Sequence, residues 1–236
     1  MAQRSSVGWV GLNELSAWWR AYLRHRYGFL FYSLLLTLIA TPVVKTFGLS
    51  SELLLLQALV GVNLLAAILP LETKKNRWVL PVILVVAIIL RAESLRVGHV
   101  TLSTASLMLW TGIALYAAFG ALRLVLRASA VTVEHLYAAL SAYLLAGLFL
   151  GVLYWGLEDL RPGSIMVAGA GLSPQSFGLT QGIYFSFITL ATVGYGDIVP
   201  GNDVVRGLAI VEAIAGQFYL AVMIARLVSL YMREAR

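Results

Sequence analysis

Thr189-Leu190-Ala191-Thr192-Val193-Gly194-Tyr195-Gly196-Asp197 is the stretch on which the reading of this chain turns. A cation that sheds its water inside a protein needs oxygens in place of the lost shell, and backbone carbonyls can supply them. Successive carbonyls point one way only where residues alternate between right- and left-handed backbone regions. Gly194 and Gly196 take positive φ at little cost, so Thr192 to Gly196 suits that task. Val193 and Tyr195 are then expected to turn their side chains into packing behind the strand. Thr192 adds a hydroxyl oxygen at its inner end.

An apolar segment, Leu179 to Ile188, precedes this stretch, and a membrane-length segment follows from Asp203. With that context, Thr192-Val193-Gly194-Tyr195-Gly196 resembles the selectivity filter of the potassium channel superfamily, matching at all five positions. The resemblance covers about Leu136 to Tyr231, the outer helix, pore helix, filter and inner helix of a two-transmembrane-helix pore domain. It implies K+ as the permeant ion, held at Thr192, Val193, Gly194 and Tyr195, with no cofactor. One filter per chain cannot encircle an ion, so it also implies a homotetramer, three further copies being the partners. Tyr184, Phe185, Thr189 and Asp197 are the expected filter supports. Many relatives place two Trp in the pore helix, the second bonded to the Asp after the filter. Here Tyr184 and Phe185 stand there, and Phe185 has no N–H to donate. Ile188 stands where some relatives carry a Glu that also holds this Asp. The outer end of the filter is therefore expected to rest on packing and water, with Phe185 behind Tyr195, unless Tyr184 or a neighbouring chain supplies a donor.

Composition agrees with a membrane protein. Of 236 residues, 60% are hydrophobic and 12% charged, and the mean hydropathy of +0.87 lies far outside the soluble range. The net charge of +6 falls in short clusters between apolar runs, which orients a membrane protein and does not point to nucleic acid. The absence of Cys removes disulfides and thiol metal sites. His25, His99 and His135 have no metal-like spacing, and no nucleophile motif implies an enzyme.

The expected fold is an all-α membrane protein of six transmembrane helices with a re-entrant pore helix and filter loop, assembled as a tetramer. The spans are Gly28–Val44, Leu53–Leu69, Trp78–Leu90, Val100–Leu122, Leu136–Leu157 and Val204–Tyr231. Trp78–Leu90 is short, but Arg77 and Arg91 can snorkel from its ends. Six crossings put Arg4, Arg20, Arg24, Arg26, Lys74, Lys75, Arg77, Arg123, Arg127, Arg226, Arg233 and Arg236 inside, 12 of the 17 basic residues. Residues 1–27 have no signal-like apolar core, and read equally as an interfacial amphipathic helix or a solvated linker. Residues 28–127 form a four-helix peripheral domain in the voltage-sensor position, and residues 128–236 the pore domain. Glu158 to Ser176 is an external loop, Asp203 a cap for the last helix, and no soluble ligand domain is expected after Met232. The resemblance is to bacterial six-span, non-voltage-gated channels, which implies a bacterial inner membrane with both termini cytoplasmic.

Two inner-helix residues are gating candidates. Gly216 lies where the family often has a hinge, and hinge and close packing remain equal readings. Glu212 is an ionisable group at membrane depth. It reads either as a hydrogen-bonded carboxyl behind the pore helix, the preferred case, or as an ion ligand in the cavity. Two other functions compete with a K+ channel. An ion-transporting subunit of the related uptake systems would carry four degenerate filters in one chain, and this chain has one complete copy. A scaffold or sensor with a vestigial pore is argued against by the intact filter.

Val100 to Leu122 contains no Lys or Arg, so Arg123 and Arg127 are topology anchors on this reading. One charge moved through the field is worth about 2.3 kcal/mol per 100 mV, and this span supplies none. Open probability should therefore vary only shallowly with voltage in bilayer recordings. A steep dependence that Arg123→Gln with Arg127→Gln abolishes would make those two the sensor.

Overall fold

The computed structural model describes residues 25–46, 52–68, 79–97, 100–128, 132–167 and 177–234. The segment through Arg24, the basic Lys74, Lys75 and Arg77, loop residues 168–176 and Arg236 lie outside them. The described chain is almost wholly helical: α1 Arg26–Thr46, α2 Glu52–Ile68, α3 Val79–Val97, α4 Val100–Arg127, α5 Val133–Leu160, α6 Leu179–Leu190 and α7 Asp203–Glu234. Four helices, α1, α4, α5 and α7, are apolar and long enough to cross a membrane over Arg26–Val44, Ala105–Arg127, Val133–Leu160 and Asp203–Arg226. The chain is an integral membrane protein.

The third apolar run differs from expectation. It was set at Trp78–Leu90, but α3 continues through Arg91 to Val97, because Ala92, Glu93, Ser94 and Leu95 carry no helix breaker. Leu84 and Ala87 are buried where α3 packs on α4. A two-stranded sheet was also not expected: β1 Ile165–Val167 lies antiparallel to β2 Ile198–Pro200, with Met166 opposite Val199. Three-residue strands give no readable periodicity. The cap of α7 is one residue earlier than Asp203. Asn202 Oδ1 accepts the Val205 N–H at 2.9 Å, as a cap requires. Asp203 instead pairs with Arg206 at 3.2 Å.

α5 is the hub, packing against α1, α4, α6 and α7. Its contact faces are built from small residues, which let membrane helices approach closely. Ala138 and Ala142 are buried on it, and Gly151 meets α6 backbone to backbone. A Cβ on Gly151 would sit 2.5 Å from Ile183 Cα, and one on Gly182 would sit 2.5 Å from the Gly151 carbonyl oxygen. Polar side chains join the peripheral helices. Asn63 of α2 donates to Thr37 Oγ1 at 2.6 Å and accepts from Ser33 Oγ at 2.8 Å, both on α1. Thr111 of α4 donates to the Phe149 carbonyl of α5 at 3.0 Å.

The glycine contact positions α6, and with it whatever follows α6. Gly151→Ala should cost about 1–3 kcal/mol, the usual range for overpacking. Gly112, whose Cβ would meet nothing within 4 Å, should tolerate Ala without loss. Thermal melts of the two purified variants in detergent compare them directly.

Candidate functional site

The site starts at the outer end of α5. The Glu158 carboxylate accepts the Gly163 N–H at 2.9 Å and the Ile165 N–H at 2.8 Å, fixing the turn into β1. Ser164 then ties that turn to the far side of the filter. Its carbonyl accepts the Gly201 N–H at 2.7 Å, and its hydroxyl accepts from Asn202 Nδ2 at 2.8 Å. The filter thus leaves α6 and returns to α7 through a sheet anchored on α5.

α6 begins at Gly178, whose N–H donates to Gln181 Oε1 at 3.0 Å. Its C-terminal end, where the helix dipole is negative and favours a cation, leads directly into Thr192. The first filter amides turn back onto the helix. Thr192 N–H donates to the Thr189 carbonyl at 2.9 Å, and the Val193 and Gly194 N–H groups both donate to the Ile188 carbonyl, at 2.8 and 3.2 Å. Gly194 and Gly196 have φ of 53° and 80°, and Thr192 also lies in the left-handed region at 55°. Positive φ therefore recurs at every second residue. Nothing in the sequence announces it at Thr192, since a β-branched residue rarely goes there.

Residues 191–197 are exposed along their length in the single chain, and Tyr195 is 72% exposed. The Phe185 ring is buried edge-on against Tyr154, centroids 4.8 Å apart. Asp197 has the Tyr184 donor that the sequence left open. Tyr184 OH donates to Asp197 Oδ2 at 2.8 Å, while Oδ1 accepts the Ile198 N–H at 3.1 Å. The phenol one residue before Phe185 reaches the carboxylate from the exposed side of α6, so an indole at 185 is not required.

Behind α6 lies Glu212 of α7, only 2% exposed. Its carboxylate accepts from Tyr154 OH of α5 at 2.6 Å and from Ser186 Oγ of α6 at 2.5 Å. It is a hydrogen-bonded group at the back of α6, and it is not among the residues that line the cavity beside Thr192. Gly216, one turn on, meets the Leu190 carbonyl so closely that no Cβ fits. Its place in this structure is the close-packing one. Tyr154 and Ser186 were not legible as partners, because their meeting with Glu212 depends on three helices converging.

Beside Thr192 a cavity of about 470 Å³ is lined by Thr192, Ala213, Ile214, Gln217, Phe218 and Ala221. Gln217 Nε2 donates to Thr192 Oγ1 at 2.8 Å. Farther along α7, Tyr219 OH bonds the Ala139 carbonyl, and Arg226 donates to the Ala128 carbonyl at 2.5 Å. Arg123 and Arg127 lie at the end of α4, away from this cavity's lining. Among the described residues no group of His, Cys, Asp and Glu could hold a metal ion.

Comparison with known proteins falls on this same segment. Residues 138–233 match the family model described as ion channel. A 58-residue stretch is 38% identical to mouse potassium channel, subfamily K, member 16, covering 22% of this chain and 20% of that protein. The chain thus spans about a fifth of the length of that curated relative. No solved structure gives a significant match. The segment 138–233, which carries Thr192 to Gly196, is thus similar to ion channels and, over part of its length, to a potassium channel.

Proposed function

We propose that the chain is one subunit of a homotetrameric, potassium-selective channel that lets K+ pass down its gradient through Thr192 to Gly196. The observation that carries this reading is the backbone of the filter. Left-handed residues recur at 192, 194 and 196, and the amides of Thr192, Val193 and Gly194 are bonded back to α6. Alternating handedness turns successive carbonyls to one side, where they can replace the water of a permeant ion. A single row of carbonyls surrounds nothing, whereas four rows about an axis make stacked rings. The same assembly would cover Tyr195 and the exposed apolar face of α7, which includes Ile210, Val211, Ile214 and Phe218.

Six crossings are part of the proposal. α2 at 17 residues and α3 at 19 extend about 26 and 28 Å, close to a bilayer's hydrocarbon thickness of roughly 30 Å. Local thinning and snorkelling side chains make up such a shortfall. Both termini are then cytoplasmic, and α1 to α4 form a peripheral domain in which α4 carries its basic residues, Arg123 and Arg127, only at its C-terminal end. We place the channel in a bacterial plasma membrane, following its family resemblance. Conduction is passive, and no chemical step is required of any residue.

Two measurements test this. In planar bilayers with opposed K+ and Na+ gradients, the reversal potential of the purified protein should track K+. A potential that follows Na+ would refute selectivity. Tyr184→Phe should speed the decay of current at low external K+, because a hydrogen bond to a charged acceptor is worth roughly 1.5–3 kcal/mol. Phe185→Trp, at a position that does not hold Asp197, should leave that decay unchanged. Unchanged decay in Tyr184→Phe would mean that the Asp197 bond does not maintain the conducting filter.

A further inference from the structure

Gln217 stands one residue past Gly216, and its side chain points away from the packed back of α7 toward the filter. Apart from Thr192, it is the polar residue in the lining of the cavity, whose other members are Ala213, Ile214, Phe218 and Ala221. Its amide N–H donates to Thr192 Oγ1 at 2.8 Å. Among the described residues Thr192 is also the non-glycine with positive φ, at 55°. Such a conformation in a β-branched residue persists only where the surroundings over-determine it. The Thr192 N–H bond to Thr189 fixes the backbone side of this residue. The Gln217 bond fixes the hydroxyl side.

A threonine hydroxyl has two acceptor lone pairs and one proton. With one lone pair taken by Gln217, the hydroxyl loses its free rotation and the other lone pair is left for a cation. The Gln217 amide oxygen remains at the cavity wall as a further neutral oxygen. We propose that Gln217 is a specificity-determining residue. It orients the Thr192 hydroxyls that form the innermost oxygen ring and helps strip water from a monovalent cation entering from the cavity. This deepens the functional reading above and rests on it. The group acts through Thr192, so its role is positional.

The test is a double-mutant cycle read as the K+/Na+ permeability ratio in single open channels, a quantity that lower expression or weaker assembly does not alter. Gln217→Leu removes the donor and Thr192→Val removes the hydroxyl. Each should lower the ratio about two- to tenfold, the span expected for one lost hydrogen bond. The double variant should be no worse than the more affected single one, because both remove the same bond. Effects that multiply in the double variant, or a Gln217→Leu ratio equal to the parent's, would overturn the proposal. If Gln217→Leu does not assemble, Gln217→Asn replaces it. Its amide stops one methylene short of Thr192, so the same fall is expected, and an unchanged ratio again overturns the proposal. A parent channel that does not discriminate K+ from Na+ removes the functional reading, and this inference with it. A selective parent with unchanged variants removes this inference alone.

Discussion

Backbone that is neither helix nor closed sheet is tolerated at membrane depth only where protein or water satisfies it. The packing of α5, α6 and α7 follows from that constraint. Between α6 and β2 the chain runs through residues 191–197 without regular structure, leaving carbonyls with no helical partner. Its amides are spent on the last turn of α6, its outer carboxylate on Tyr184, and its inner hydroxyl on Gln217. Each bond comes from a helix held elsewhere by tight packing. Local conformational freedom is thus removed by elements that are themselves stable.

This explains why α5 carries its glycines where it does. A helix bearing larger side chains at 151 would stand farther from α6, and the filter would move with α6. The contact between Gly151 and Gly182 sets a distance that no flexible side chain could set as reproducibly. The sheet of β1 and β2 performs the same service at the outer surface, returning the chain to α7 at a fixed point.

The helices were legible in the sequence because lipid imposes length and apolarity on them, as in Val100–Leu122 within α4. The left-handed backbone at 194 and 196 was legible because Gly194 and Gly196 have a conformational reason to be glycine. What escaped was long-range or too short for periodicity. β1 and β2 are three-residue strands, and Asn202 displaced Asp203 as the cap through its own side-chain geometry. Tyr184 was visible as a possible donor to Asp197, but its reach depended on the rotation of α6 about its axis. Thr192 gave no signal at all, since its side chain argues against the conformation that it takes. Gln217 gave no signal either, since its place beside Thr192 depends on how α7 meets α6.

The Glu212 carboxylate has a mechanical consequence. It is rooted in α7, yet both of its hydrogen bonds come from other helices, one from Tyr154 and one from Ser186. Close by, Gly216 lies flush against the last carbonyl of α6. The upper half of α7 is therefore clamped to the pore helix at two levels about one turn apart. A rod clamped at two levels transmits torque as well as thrust. Bending of α7 is then concentrated beyond Gly216, toward Glu234. Any rotation above that point would have to carry the filter with it, or strand a buried carboxylate without donors.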